Sequence, residues 1–401
     1  MVPAHSRDHP LADESADFSL FLGGPLHQLW RRTRLSGNAL EMLHRRVFWI
    51  VLFAWAPLLL LSITEGQAWG RSVDMPFLRD IETHVRLLVA LPLLVAAELI
   101  VHRRMRLVTS QFLEHGLIPD AARPQFDEAV TSAMRLRNSV AAEVLLIAIV
   151  YTAGLLFTWR AQLELGVSSW HGVTSEARFR PSLAGWWLDF VSLPLFQFLL
   201  LRWYFRLFIW ARFLWHVSRI DLKLVPTHPD RCAGLGFLSL VRVTFAPFLL
   251  AQGALLAGMI ADRILYGGAN LLDFEVELIG IVAVMVFVVL GPLLAFSIQL
   301  DAAARAGKRE YGALAQRYVR EFDQKWVRGE PPDESLLGNK DIQSLADIGH
   351  SFVVVEEMRW APFTWHTVLQ LAITTLLPVL PLTLTMFSAT DLINRVLKVF
   401  F

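Results

Sequence analysis

Charge and cysteine are what this sequence has least of. Only 18% of its 401 residues are charged, against ~25% in ordinary soluble domains, while 55% are hydrophobic. A chain of that balance cannot wrap its apolar residues in polar ones, which excludes a simple water-soluble globule and asks for lipid as part of the solvent. Cys232 is the single cysteine, so one chain can build neither an intrachain disulfide framework nor a thiolate zinc cage. A net charge of +1 removes any global electrostatic case for nucleic acid as a partner. Missing too are a Walker-type loop, a nucleophile elbow, a zincin motif and a dinucleotide fingerprint. No cofactor and no metal are therefore expected. The N-terminal MVPAHSRDHPLADESADFSL is polar and acidic where a secretory signal needs a basic region followed by an apolar one, so no cleaved signal is expected.

What the sequence does have is long apolar runs. About 18 or more apolar residues cross ~30 Å of hydrocarbon as helix, and seven segments approach or exceed that length. They run from Val47 to Thr64, Ile81 to Val101, Ser139 to Trp159, Trp186 to Phe208, Val243 to Ile260, Val276 to Leu300 and Phe363 to Ser388. Pro378 and Pro381 interrupt the last, which predicts a kink, a pair of half-helices or a hairpin. Arg45 and Arg46, His102 to Arg106, Arg206 to Arg231 and Arg305 to Arg328 all fall on one side of the alternating segments. Because lysine and arginine accumulate in cytoplasmic loops, that side and the N-terminus are expected in the cytoplasm of a bacterial-type inner membrane. The fold class expected is all-α: a polytopic integral membrane helical bundle of six to seven transmembrane helices with a helical cytoplasmic cap. Its parts are an N-terminal segment (1–46), helices 1–6 (47–300) with cytoplasmic loops 102–138 and 212–235, the cap (301–362), and a broken seventh helix with an amphipathic tail (363–401).

Charges inside the apolar segments are few. With orientation assigned, Glu98, Glu143, Arg202, Arg206 and Arg242 all lie at similar depth in one leaflet. A lone charge at the centre of a membrane helix costs at least ~2.5–3.5 kcal/mol, so these residues either pair to fix helix order or line a polar vestibule. Arg212, His216, Arg219 and Lys223 are spaced four, three and four apart, which on a helix makes a basic stripe for anionic headgroups. Trp203, Trp210 and Trp215 offer the alternative of an ordinary interfacial anchor. In the broken segment, Thr374, Thr375, Pro378 and Pro381 expose backbone as ion sites in transporters do, although threonine hydroxyls also bond their own helix. Asp347, His350, Glu356 and Glu357 in the cap match no metal motif, and the VVV between them favours a change of backbone state.

The connector VPTHPDRCAGLGFL, Val225 to Leu238, is the densest polar stretch. Pro226 and Pro229 stiffen it, and Asp230 is placed to cap the helix entering the membrane next. Gly234 and Gly236 permit close backbone approach, and Thr227, His228, Asp230 and Arg231 are candidates for the mouth of the vestibule. Three functions stay open. The leading expectation is a channel or transporter for a small ion or solute, with membrane lipids as partners and a possible homo-oligomer. A membrane-embedded enzyme acting on a lipid or lipid-linked substrate would put His228, Asp230 and Arg231 at headgroup level. A non-catalytic sensor or assembly factor would use the cap.

Overall fold

A computed structural model describes residues 41–70, 73, 75–154, 169–175, 178–329, 335 and 338–386. Helix α1 spans Glu41–Thr64 and α2 spans Ile81–Glu114. A shorter helix, α3, spans Arg123–Arg137, and α4 runs from Val140 to Gly154. The third apolar segment is thus followed only to Gly154, and its continuation to Trp159 lies outside the described residues, as do the arginines before Glu41 and the C-terminal tail. An antiparallel hairpin of β1 (Gly172–Ser175) and β2 (Arg178–Pro181) precedes α5, Leu183–Val217. Helix α6 covers Ala246–Gly267, and α7 is a 58-residue rod from Leu271 to Arg328. Helix α8 (Lys340–Glu356) folds back on α7, and α9 (Trp365–Leu376) continues as a tightened helix to Met386. Apart from the hairpin the described chain is an all-α bundle, and six of its helices are long and apolar enough to cross a membrane.

Proline shapes these helices without ending them. In α2 and α5 a widened turn, Arg86–Ala90 and Leu188–Ser192, comes just before Pro92 and Pro194. A helical proline has no N–H to give to the fourth residue back and its ring presses on that carbonyl, and widening the turn relieves both problems. In α7 the Gly291–Pro292 pair instead tightens the helix over Gly291–Phe296. Of the alternatives left open at Pro378 and Pro381, neither a hairpin nor a pair of separate half-helices forms: Leu377–Met386 stays helical with three residues per turn, which sets the two prolines on one face. Thr374 and Thr375 donate to the carbonyls of Gln370 and Leu371, and Thr383 and Thr385 to Leu380 and Leu382. Their hydroxyls are spent on the helix's own backbone.

The core is aromatic and spreads through the bundle. Trp203 and Trp210 of α5 are buried, with Phe112, Phe126, Phe245, Phe248 and Phe296 around them. Of the tryptophans expected at headgroup depth only Trp215 is exposed, because α5 turns the other two inward. The outward faces stay apolar, with Val276 81% exposed, Ile298 80% and Phe287 72%. Water would penalise that surface by roughly 25 cal/mol per Å², and hydrocarbon would not.

At ~1.5 Å per residue, α7 is about 87 Å long, nearly three times a hydrocarbon core. Its second half, from Asp301, therefore projects beyond the apolar bundle and pairs with α8. Tyr318 donates to the Asp341 carbonyl, and the Asp341 carboxylate accepts from Lys325 at 2.8 Å and Trp326 at 3.0 Å. Contrary to the expected break, α8 runs unbroken through Val353, Val354 and Val355 to Glu356. Packing against α7 outweighs the small helical penalty of three β-branched residues.

Candidate functional site

Within the bundle, near the end where α1 begins and α2 leaves, charges from four helices meet. Arg202 and Arg206 are four apart on α5 and so share a face. Both reach Glu98 of α2, with Nη1 atoms 3.0 Å and 2.8 Å from Oε1. Arg46 of α1 holds the other oxygen at 3.0 Å. Glu143 lies 3.8 Å from the Arg202 Nε. Ser139 puts it there by capping α4, its Oγ accepting from the Ala142 N–H and setting Glu143 in the first turn. Glu98, Arg202 and Arg206 are each no more than 5% exposed. Arg206 also stacks against Trp203, whose indole N–H donates to the Leu94 carbonyl of α2. Such a cluster is costly to desolvate, and removing one partner leaves the rest uncompensated, a loss of ~3–5 kcal/mol.

Of the five residues expected at this depth, four are in contact. Arg242 is not among them: it lies on the short turn Val241–Thr244 before α6 and makes no ion pair with another described residue. Arg46 takes the fifth place, although its sequence neighbours suggested only a topogenic role. Its depth was the available signal, since Arg46 and Glu98 stand at the same end of antiparallel neighbours.

The connector is tied into the fold. The Asp230 carboxylate accepts from three backbone N–H groups, Cys232 at 2.8 Å, Gly234 at 3.2 Å and Gly236 at 2.7 Å, and meets His228 Nδ1 at 2.9 Å. Burial works to raise the Asp230 pKa, but these N–H groups and then His228 more than offset it and hold it below the usual range. The carboxylate organises a left-handed stretch, with φ of 57° at Arg231, 53° at Ala233 and 96° at Gly234. Contrary to the expectation from the sequence, Asp230 does not cap α6; its acceptor role falls on the loop and on the first N–H of the turn Gly236–Leu240. Arg231 pairs with Glu357 at 2.9 Å while its carbonyl accepts from the Arg359 N–H. Cys232 is fully buried with its thiol 3.7 Å from the Ala361 carbonyl, and burial pushes its pKa up to about 11. Thr227 is half-buried beside this knot.

The expected basic stripe is only half helical. Helix α5 stops at Val217, so Arg212 and His216 lie on it while Arg219 and Lys223 fall in the following loop. Arg212 donates to Ser132 of α3 at 2.9 Å, and Arg219 lies 4.5 Å over the Trp215 ring. Gln299 of α7 bonds the Ser218 and Ile220 carbonyls and clamps that helix end.

A second buried polar knot, at the opposite end of the bundle, was not foreseen. Asp80 caps α2 through the Thr83 N–H at 2.7 Å and accepts from the Thr83 hydroxyl, the Trp170 indole at 2.9 Å and His171 at 3.3 Å. Asp262 of α6 takes the Ile81 and Glu82 N–H groups, capping α2 from a different helix. The sequence Asp80-Ile81-Glu82-Thr83 carries the signal of a helix start, but nothing local indicates that Trp170 and His171 reach it. Among the described residues no three His, Cys, Asp or Glu side chains converge as a metal site. No family model, curated protein or solved structure matches this chain.

Proposed function

We propose that the chain is a multi-pass protein of a bacterial-type inner membrane, with its basic end and N-terminal side in the cytoplasm, and that it is a channel or transporter for a small anion. The orientation is supported by Arg103, Arg104, Arg135 and Lys308 at one end against Asp80, Asp262, Asp273 and Glu277 at the other. One observation carries the function: three guanidiniums, Arg46, Arg202 and Arg206, converge on Glu98 inside the bundle. Ionisable side chains at such depth are rare and tend to mark pathways. A guanidinium presents its N–H donors in a fixed fork that suits a small oxyanion as well as a carboxylate. On this reading Glu98 is a tethered anion that fills the site at rest, and a permeant anion displaces it.

Chloride and phosphate flux into proteoliposomes tests the reading. Glu98→Gln removes the competing carboxylate and is expected to raise flux or apparent affinity by about tenfold, equivalent to ~1.4 kcal/mol; Arg206→Gln is expected to abolish it. Should the wild type pass no anion, or both variants keep its flux while melting lower, the cluster fixes helix order only and the transport reading fails. The projecting α7–α8 pair favours a second reading, an assembly or sensor role for the cap. A lipid-modifying enzyme gains no comparable support, because Asp230 and Arg231 are engaged in holding the connector.

A further inference from the structure

Between α5 and α7 an apolar groove of about 750 Å³ opens to the outside of the bundle. Its size is within the ~300–1,000 Å³ typical of sites that hold one small molecule. Its wall includes the tightened Gly291–Phe296 turn of α7 and the small Ala211 of α5. Its rim is made by Phe208, Phe287 and Ile298, all well exposed. Along α5 it runs from Tyr204 to Trp215, about 16 Å at ~1.5 Å per residue, close to half of a ~30 Å hydrocarbon core. Its basic end closes on Trp215, Arg219 and Gln299, whose side-chain oxygen is buried without a partner among the described residues. Across Phe208, which lines both, lies a smaller pocket bearing Arg135 and Arg212. Neither lining contains a carboxylate.

We propose that this groove binds one anionic phospholipid of the basic-side leaflet, an acyl chain lying against α5 and α7 and its phosphate meeting Arg219. The length fits one leaflet, whereas a partner helix would need a groove along the whole span. The charge fits as well: arginines in linings that hold no carboxylate attract an anion at headgroup depth, and a tryptophan stands where indoles favour the interface. Arg135 and Arg212 add positive potential across the Phe208 ridge. The proposal does not depend on anion transport, since the groove and the Glu98 cluster share no residue.

Native mass spectrometry of the full chain, released from nanodiscs containing equal phosphatidylglycerol and phosphatidylcholine, tests it. The wild type should retain one phosphatidylglycerol with at least fivefold preference, and Arg219→Gln should reduce that preference about fivefold, the worth of one interfacial cation. Ala295→Trp should fill the groove and abolish retention. If that variant does not fold, Phe287→Ala and Ile298→Ala, both at exposed positions, should each weaken retention several-fold. Equal retention of the two lipids, indifference to every one of these substitutions, or a lipid-free dimer that Ala295→Trp disrupts would overturn the proposal.

Discussion

Among single residues, Asp230 organises one end of the chain's polar framework. It holds three backbone N–H groups across a left-handed loop, and charge-assisted hydrogen bonds contribute ~1.5–3 kcal/mol each against smaller values for neutral ones. Asp230→Ala is expected to cost about 3 kcal/mol and lower Tm in detergent, with a smaller loss for Asp230→Asn. Gly236→Ala should behave similarly, since a Cβ there would stand 2.8 Å from the Asp230 carboxylate. Asp80 governs the other end. Burial alone would raise its pKa, but the hydrogen bond and charge of His171, followed by the Thr83 N–H and hydroxyl, hold it below the ordinary carboxylate range. A carboxyl lowered on folding stabilises above its unfolded pKa, near ~4, and loses that contribution as pH falls below it. Melting between pH 6 and pH 3 should therefore show a steeper acid loss for the wild type than for Asp80→Asn.

Helix pairs are decided by where backbones touch. A Cβ on Gly253 of α6 would stand 1.8 Å from the Thr375 carbonyl of α9, while one on Gly258 would meet the Val85 side chain at 3.1 Å. Gly253→Ala must push α6 and α9 apart, whereas Gly258→Ala asks only for a small adjustment. Overpacking costs roughly 1–3 kcal/mol, so thermal unfolding should separate the two variants with Gly253→Ala lower. Sequence periodicity showed both helices but could not show that this glycine meets that carbonyl. It likewise showed the prolines of α9 without showing whether they turn the chain or tighten it. Gly253 of α6 lies against the Thr375 carbonyl and the Pro378 side chain, a tertiary contact that the local sequence does not carry.

For the whole molecule, the proposed orientation can be read by labelling. Cys232 is fully buried and burial pushes its thiol pKa up to about 11, so the native background should be low. Gln343→Cys on α8 and Tyr266→Cys at the end of α6 stand at opposite ends of the bundle and are exposed. In intact cells an impermeant maleimide should label Tyr266→Cys and spare Gln343→Cys until the cells are opened. The reverse pattern would invert the topology. Both outcomes leave the bundle itself unchanged, because sidedness depends on loop charge and not on packing.

Composition and apolar run length were sufficient to specify an all-α chain with helices long enough to cross a membrane, because every backbone group in hydrocarbon must bond within its own segment. The spacing of Arg202 and Arg206, and the depth they share with Glu98 and Glu143, was also visible in one dimension. Which partners those charges took was not. Arg46 joined in place of Arg242, Trp170 and His171 reached Asp80 across some ninety residues of chain, and Asp230 turned to its own loop rather than to α6. Local sequence sets the period and length of a helix, but its rotation and the backbones it touches follow from the whole bundle packing at once.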